Sequence, residues 1–487
     1  MTRVSTYLRV GVAALSLALR AAPASAQSTT APDDSVGPGA FRFRGVRITP
    51  VGYATLEAVY RTRALAADIG TPFNAIPFRG APGAHLSELR LSARQSRLGA
   101  AVDGHAGPTA LRGFVETDFL GAGSSSNSNE SNSYALRLRQ FWAEAAFANG
   151  LTLSAGQTWS LLTPGRSRLA LRAESVPATI DAQYVVGFDW ARQAGVRLTS
   201  RLGSSAWGAI AIEESQTTFL SRGTPDRPFL VGQAGGSALN PLATYSYDAA
   251  PDLIAKLAFE PGIGHYELRA VGRLFRDRVY APFRLGEAQH ADNYTTTGGG
   301  VGADARWAAH ERRAELGIDA LWGRGIGRYG TSQLPDATVR ADGHIAPIRA
   351  AHGLASLDLH PTATLDLYAY AGVEYAARTA DTAANGTGVG YGSPRVDVTS
   401  CDTEVAPAGP FSPGGASCLA DTRALRQGTV GLWHRAFQGD YGTAQWGLQY
   451  SYTSRLTWAT APAGLAPRAN AHVILASLRY VLPQGSR

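Results

Sequence analysis

Residues 137–160, RLRQFWAEAAFANGLTLSAGQTWS, restrict the fold more than any other stretch of the chain. They form two period-2 runs joined by Asn149-Gly150, a pair of residues that favours a tight hairpin turn. Side chains on a strand alternate sides, which places Arg137, Arg139 and Phe141 on one face and Leu136, Leu138, Gln140 and Trp142 on the other. After the turn, Leu151, Leu153, Ala155, Gln157 and Trp159 share a face, opposite Thr152, Ser154, Gly156, Thr158 and Ser160. Two settings satisfy a hairpin with one apolar and one polar face. In a water-soluble sandwich the apolar face lies in a protein core, and in a membrane barrel it lies in lipid while the polar face meets a channel.

The connections separate these settings. About sixteen period-2 runs are spread from residue 46 to 482. From the second run onward, the links alternate short and long. Short links fall at Gly104 to Pro108, Asn149-Gly150, Gly203 to Ser205, Pro261 to Ile263, Ala308 to Glu311, His360 to Thr362 and Gln438-Gly439. The long ones include 161–191, 215–250, 325–347 and 377–423. A sandwich has no reason to sort loops by parity, whereas a membrane barrel has short periplasmic turns and long extracellular loops. The expected fold class is therefore all-β, a transmembrane antiparallel β-barrel of about 16 strands. Most of the nine tryptophans fall near expected strand ends, as aromatic girdles at membrane interfaces do.

Export is written at the N-terminus. Arg3 and Arg9 precede the apolar stretch Val10 to Leu19, and Ala24-Ser25-Ala26 fits a cleavage site before Gln27. Cleavage leaves 487 − 26 = 461 residues and a formal charge of 7 − 3 = +4, because Arg3, Arg9 and Arg20 are lost. No later apolar run approaches the ~20 residues of a membrane helix. The cations are almost all arginine, with Lys256 the only lysine, and form no basic tail of the kind that binds nucleic acid. Cys401 and Cys418 are expected to form a disulfide within one external loop, since exported pairs oxidise.

Several phrases carry a resemblance: GYATLEAVY (52–60), ARQSRLG (93–99), LRGFVETDFLG (111–121), YALRLRQFWAE (134–144) and LSAGQTWS (153–160). In order and spacing they resemble the DcaP-like porin family of Gram-negative outer membranes, trimeric sixteen-strand channels for dicarboxylates and other small anions. The likeness covers roughly residues 45–200 and beyond that rests on architecture and the last run, HVILASLRYVL. That run resembles the terminal strand of outer-membrane barrels but ends on Leu482 with PQGSR beyond, where many end on Phe. The resemblance implies a homotrimer. Residues 27–44 are too short for the periplasmic coiled coil some members carry, so subunit contacts are expected on the barrel wall, where Gly52, Gly99 and Gly113 would allow close packing.

Channels select solutes through charges at their narrowest point, commonly Arg or Lys clusters for anions. Candidate pore residues are Arg90 and Arg94 on the second run, Arg112, Glu116 and Asp118 on the third, and Arg137 and Arg139 on the fourth. The family's basic wall carries over most directly to Arg94, Arg137 and Arg139. Two residues apart on a strand, Arg137 and Arg139 would stand ~7 Å from each other, a spacing suited to a dicarboxylate. The alternative is that these arginines only stiffen the wall through ion pairs. Loop 161–191, with Arg166, Arg168, Arg172, Glu174, Asp181 and Asp189, is the candidate constriction loop; otherwise it is an exposed loop outside the pore.

GIGRYG (325–330) matches G-x-G-x-x-G but opens no βαβ unit, and His85, His105, His265 and His344 lack ligand spacing, so neither nucleotide, metal nor other cofactor is expected. The domain plan is signal peptide 1–26, a short periplasmic segment 27–44 and a barrel 45–487. The expected function is non-enzymatic passage of small anionic solutes across the outer membrane, with outer-membrane lipid as the surrounding partner and no nucleic acid. The alternatives are an outer-membrane barrel enzyme, a secreted soluble β-protein, and a phosphate-selective porin, whose lysine ladders contrast with the single Lys256.

Overall fold

The computed structural model describes residues 39–121, 135–235, 243–282, 290–309, 312–407, 409–410, 418–460 and 464–483. The expected signal peptide, 1–26, lies outside them. Sixteen antiparallel strands close into one barrel. They are β1 (Val46–Arg61), β2 (in two pieces, Glu88–Ser92 and Arg97–Ala106), β3 (Thr109–Asp118), β4 (Arg137–Ala146), β5 (Leu151–Trp159), β6 (Arg192–Arg201), β7 (Ala206–Glu213) and β8 (Asp252–Phe259). The second half comprises β9 (His265–Tyr280), β10 (Ala291–Ala309), β11 (Ala314–Arg324), β12 (Arg349–Thr362), β13 (Leu365–Ala376), β14 (Thr422–Gly439), β15 (Gly442–Thr457) and β16 (Arg468–Val481). Each strand pairs with its chain neighbours, and β16 closes on β1 from Tyr53↔Val481 to Arg61↔Val473. Closure removes the free edges that would otherwise template aggregation.

The faces of the wall are inverted relative to a soluble protein. Leu91, Leu98, Ile212, Leu268, Val301 and Leu478 are more than half exposed on the outside, while Glu57, Asp252, Glu267, Arg269 and Glu374 are buried inside. Water would penalise so continuous an apolar band, and lipid does not. On β16, Ile474, Leu478 and Tyr480 face outward as the sequence pattern requires.

The opening hairpin departs from strict alternation. Glu116 pairs with Gln140 and Thr117 with Leu138, leaving Arg139 as the extra residue of a β-bulge. Beyond it every side chain changes face: Phe141 is 63% exposed and Trp142 is buried against Phe114. The tryptophans, expected near the membrane interfaces, divide between the two faces. Trp142, Trp159 and Trp433 are buried inside, and Trp322 and Trp446 face outward. Gly52 and Gly99 serve the wall itself, since a Cβ would lie 2.2 Å from the Arg97 carbonyl oxygen or 2.3 Å from that of Val115. Their close packing is between neighbouring strands of one barrel.

Of the segment 27–44, residues 41–43 form a short strand on the start of β1, pairing Phe41 with Ile48. The long loops carry small hairpins of their own, Gly232–Ala234 with Thr244–Ser246, Ala337–Val339 with Ile345–Pro347, and Thr379–Thr382 with Gly388–Tyr391. They pack on one another through apolar clusters, one of which gathers Ile76, Phe78, Val398, Ala420 and the Cys401–Cys418 disulfide.

Candidate functional site

The chain between β5 and β6, residues 161–191, lies inside the barrel. It has little regular structure, so its buried amides need partners from elsewhere. The inner wall supplies them. The backbone N–H of Leu161 donates to Glu213 (2.7 Å), Gly165 to Glu267 (3.1 Å), Ile180 to Gln449 (2.6 Å), Val186 to Gln427 (2.8 Å) and Gly187 to Glu374 (2.8 Å). Trp433 Nε1 donates to the Ala178 carbonyl at 2.8 Å. Asp189 accepts from Arg269 at 3.2 Å and pairs with His352 Nδ1 at 2.6 Å, all three fully buried. Burial pushes the carboxyls of Glu174 and Asp181 above their ordinary range, although hydrogen bonds and nearby cations oppose it. Ile180, Tyr184, Val185 and Phe188 of the loop pack with Val59, Leu354, Tyr368, Trp433 and Leu475 of the wall into an apolar cluster inside the barrel. The wall formed by β2 to β6 meets the same segment, with Tyr184 against Trp159 and Arg172 against Phe114.

On that wall the structure brings together four of the residues expected from sequence. Arg137 grips Asp118 through two nitrogens (2.9 and 2.7 Å), and Arg139 reaches both Glu116 (2.6 Å) and Asp118 (2.8 Å). The Arg139 side chain is only 2% exposed, so its role is structural first. Asp118 already holds both guanidinium groups, which removes the simple two-arginine fork. The hydrogen-bonding capacity left for a solute is on Arg137, whose side chain is 37% exposed.

Sequence reasoning passed over three further arginines. Arg97 lies 3.6 Å from Glu116 and over the Tyr53 ring at 5.2 Å, and its Nε has no hydrogen-bond partner among the described residues. Arg479 stacks on Tyr53 and Trp433 and pairs with Glu57 at 2.9 Å. Arg192, the first residue of β6, sits against the rings of Trp159 (5.0 Å) and Trp190 (4.8 Å). It makes no ion pair among the described residues, and its Nη1 lacks a hydrogen-bond partner there. Aromatic faces stabilise a guanidinium without neutralising it, so its charge stays available.

The cluster of Arg97, Arg137, Arg139 and Arg192 against Glu116 and Asp118 carries 4 − 2 = +2. Tyr184 of the inserted loop registers this field. Burial alone would raise its phenol, yet the guanidinium groups of Arg139, Arg192 and Arg97 hold it at about 8, and Arg139 donates to its oxygen at 3.3 Å. A preformed positive field beside an aromatic surface attracts anions without binding them tightly.

The remaining expected residues are dispersed. Arg90 is half exposed beside Glu88 (3.6 Å), and Arg94 is tied to Asp68 (3.1 Å) and the Phe119 carbonyl (2.9 Å). Arg112 pairs with Glu144 at 3.3 Å near a short turn. Along the inserted loop, Arg172 stacks on Phe114 (4.4 Å), Arg168 lies over Trp207 (5.9 Å), and Arg166 pairs with Glu315 (3.4 Å). Arg168 and Arg172 adopt positive φ, 57° and 66°, which marks the tight course of this segment. The buried pairs Lys256–Glu267 (2.9 Å), Arg269–Asp319 and Arg273–Asp336 (2.9 Å) were also missed. Their signal was present, because Asp252, Ile254, Lys256 and Ala258 alternate with outward Leu253, Ala255, Leu257 and Phe259.

No family model matches the chain, and no curated protein matches it. Among solved structures, the outer membrane channel DcaP of Acinetobacter baumannii is 17% identical with a TM-score of 0.60, over 90% of this chain and 99% of that one. An anion-selective porin from Comamonas acidovorans is 10% identical (TM-score 0.44, 90% of this chain and 100% of that one). OmpF of Salmonella typhi is 8% identical (TM-score 0.45, 90% and 99%). The first of these likenesses fixes the fold as that of an outer-membrane channel of DcaP type.

Proposed function

We propose that this barrel, which shares the fold of the DcaP channel, is an outer-membrane porin that admits small hydrophilic solutes by passive diffusion and prefers anions such as dicarboxylates. The observation that carries the anion preference is Arg192, a guanidinium seated on two tryptophan rings with no carboxylate partner among the described residues. With Arg97, Arg137 and Arg139 it gives the passage beside the inserted loop an excess of positive charge. A dianion gains twice the Coulomb energy of a monoanion there. Contact with a wet, partly exposed cluster is weak enough to permit release, as conduction requires.

The protein works embedded in outer-membrane lipid as a homotrimer, performs no chemistry and needs no cofactor. Support for the assembly comes from the resemblance noted in the sequence, and support for the location from the lipid-facing apolar band. The experiment is conductance in planar bilayers with a salt gradient. A reversal potential favouring chloride over potassium, with current block by succinate, is expected. Cation selectivity, or succinate without effect, would remove the anion reading while leaving the channel.

A further inference from the structure

At the end of the barrel that carries the short turns, a cleft of about 370 Å³ opens between the inserted loop and the wall. Arg166 enters it from the loop, Arg306 from β10 and Arg312 from the start of the β10–β11 return, beside Glu260, His265 and Glu315. Short turns of such barrels lie on the periplasmic side. The cleft is therefore at the exit, away from the cluster around Arg192.

The acids of this cleft are already engaged. Glu315 accepts from Arg306 at 3.0 Å and lies 3.4 Å from Arg166. Glu260 accepts the Arg168 backbone N–H at 2.6 Å and faces His265 Nδ1 at 3.1 Å. The other ring nitrogen of His265 faces Glu267 at 3.1 Å, and Glu267 also takes Lys256 at 2.9 Å. Donors remain in excess. Arg306 is only 8% exposed; it gives Nη1 to Glu315 and turns its Nε toward the buried Asp304 carboxylate at 3.8 Å, so the donors open to a solute are on Arg166 and Arg312. Arg166 has a side chain 39% exposed, free to turn toward a solute. Arg312 is exposed and makes no hydrogen bond or ion pair among the described residues.

We propose that this cleft is a second anion site, which receives a small oxyanion of two or more charges, carboxylate or phosphate, after it has passed the constriction. The proposal rests on the anion reading above. Two carboxylates saturated by donors cannot attract a cation strongly, and the guanidinium groups of Arg166 and Arg312 at one pocket suit the paired oxygens of such a solute. Arg172, Arg168 and Arg166 lie in chain order along the inserted loop between the two sites and give an anion successive weak contacts. Multiple weak sites let a solute enter readily and still leave.

The test is the double variant Arg166→Ala with Arg312→Asn; both positions are exposed enough to leave the fold intact, and Asn tolerates the positive φ of Arg312. Block by succinate and by inorganic phosphate is measured in oriented bilayers, with each blocker added on one side at a time. Trp307 lines the cleft, so its fluorescence in detergent gives a second readout that does not depend on conduction. The expected result is block from the periplasmic side weakened about fivefold, as losing two partly exposed charge contacts, each worth about two- to threefold, implies. Block from the outer side and the reversal potential should be unchanged, and phosphate should no longer alter the fluorescence. Unchanged periplasmic block with an unchanged fluorescence response would overturn the site, and equal weakening from both sides would assign the effect to the constriction. Failure of the anion reading itself would show separately, as a wild-type reversal potential without anion preference.

Discussion

Arg192→Gln separates a selective role for the constriction from a structural one. The cluster holds four guanidinium groups against two carboxylates, so its formal charge falls from +2 to +1 on substitution. A unit charge acting over ~4 Å in water is worth about 1 kcal/mol. Salt at 0.1 M screens this little, because the Debye length there is about 10 Å. A monoanion should lose about fivefold in occupancy and a dianion about thirtyfold. Stability should suffer little, since no buried acid is stranded; the loss is two cation–π contacts of roughly 0.5–1 kcal/mol each. The assay compares block of current by succinate and by acetate in wild type, Arg192→Gln and the charge-conserving Arg192→Lys. Succinate block should weaken several times more than acetate block in Arg192→Gln, and Arg192→Lys should keep most of the preference. Equal weakening for both anions, or none, would refute the field argument and make Arg192 a packing residue.

Arg139→Ala should behave differently, because it leaves Glu116 and Asp118 short of their buried partner; a loss of about 3 kcal/mol should appear as a lower urea midpoint. Ionisation of Tyr184, whose phenol is held at about 8, adds a negative charge to the cluster as pH rises, so anion preference should decline between about pH 7 and 9 in wild type and hold in Tyr184→Phe. Reduction of Cys401–Cys418, separated by 17 positions, should cost the external loop about 3 kcal/mol on the chain-entropy account and open it to proteases while the barrel persists; mass spectrometry finding free thiols in cell-derived protein would count against the bond. Heat-modifiable migration, an outer-membrane fraction and a particle three times the monomer mass in mild detergent are expected, and recovery as a soluble periplasmic monomer would contradict the assignment.

The strands were legible because lipid imposes a period of two on nearly every one of them, and because loop parity reports which side of the membrane a turn occupies. Phe141 and Trp142 were misplaced since a bulge at Arg139 shifts the register by one, and no local residue announces it. The tryptophans divide between the two faces for a related reason: Trp159 and Trp433 meet the inserted loop, and an apolar ring suits a packed interior as well as a lipid headgroup. Glu116, Asp118, Arg137 and Arg139 could be found from sequence because they stand on adjacent strands close together in the chain. Arg192 could not. It lies at a loop–strand boundary, and its significance depends on Trp159, Trp190 and the lack of a carboxylate partner among the described residues, none of which a period-2 pattern encodes. Arg479 joins the wall only through barrel closure, which sets residues more than 400 positions apart side by side.

The segment between β5 and β6 also has a mechanical consequence. Its bonds run to β7, β9, β13, β14 and β15, so it braces the cylinder from within like the cross-members of a frame. A brace fastened at so many points cannot swing aside for a large solute without breaking several buried hydrogen bonds together, each costing about 1–3 kcal/mol if left unmade. The calibre of the opening and the roundness of the wall are thereby one property. Substitutions that retune what passes will be tolerated where they leave the brace alone, and those that loosen it will deform the whole cylinder rather than widen a door.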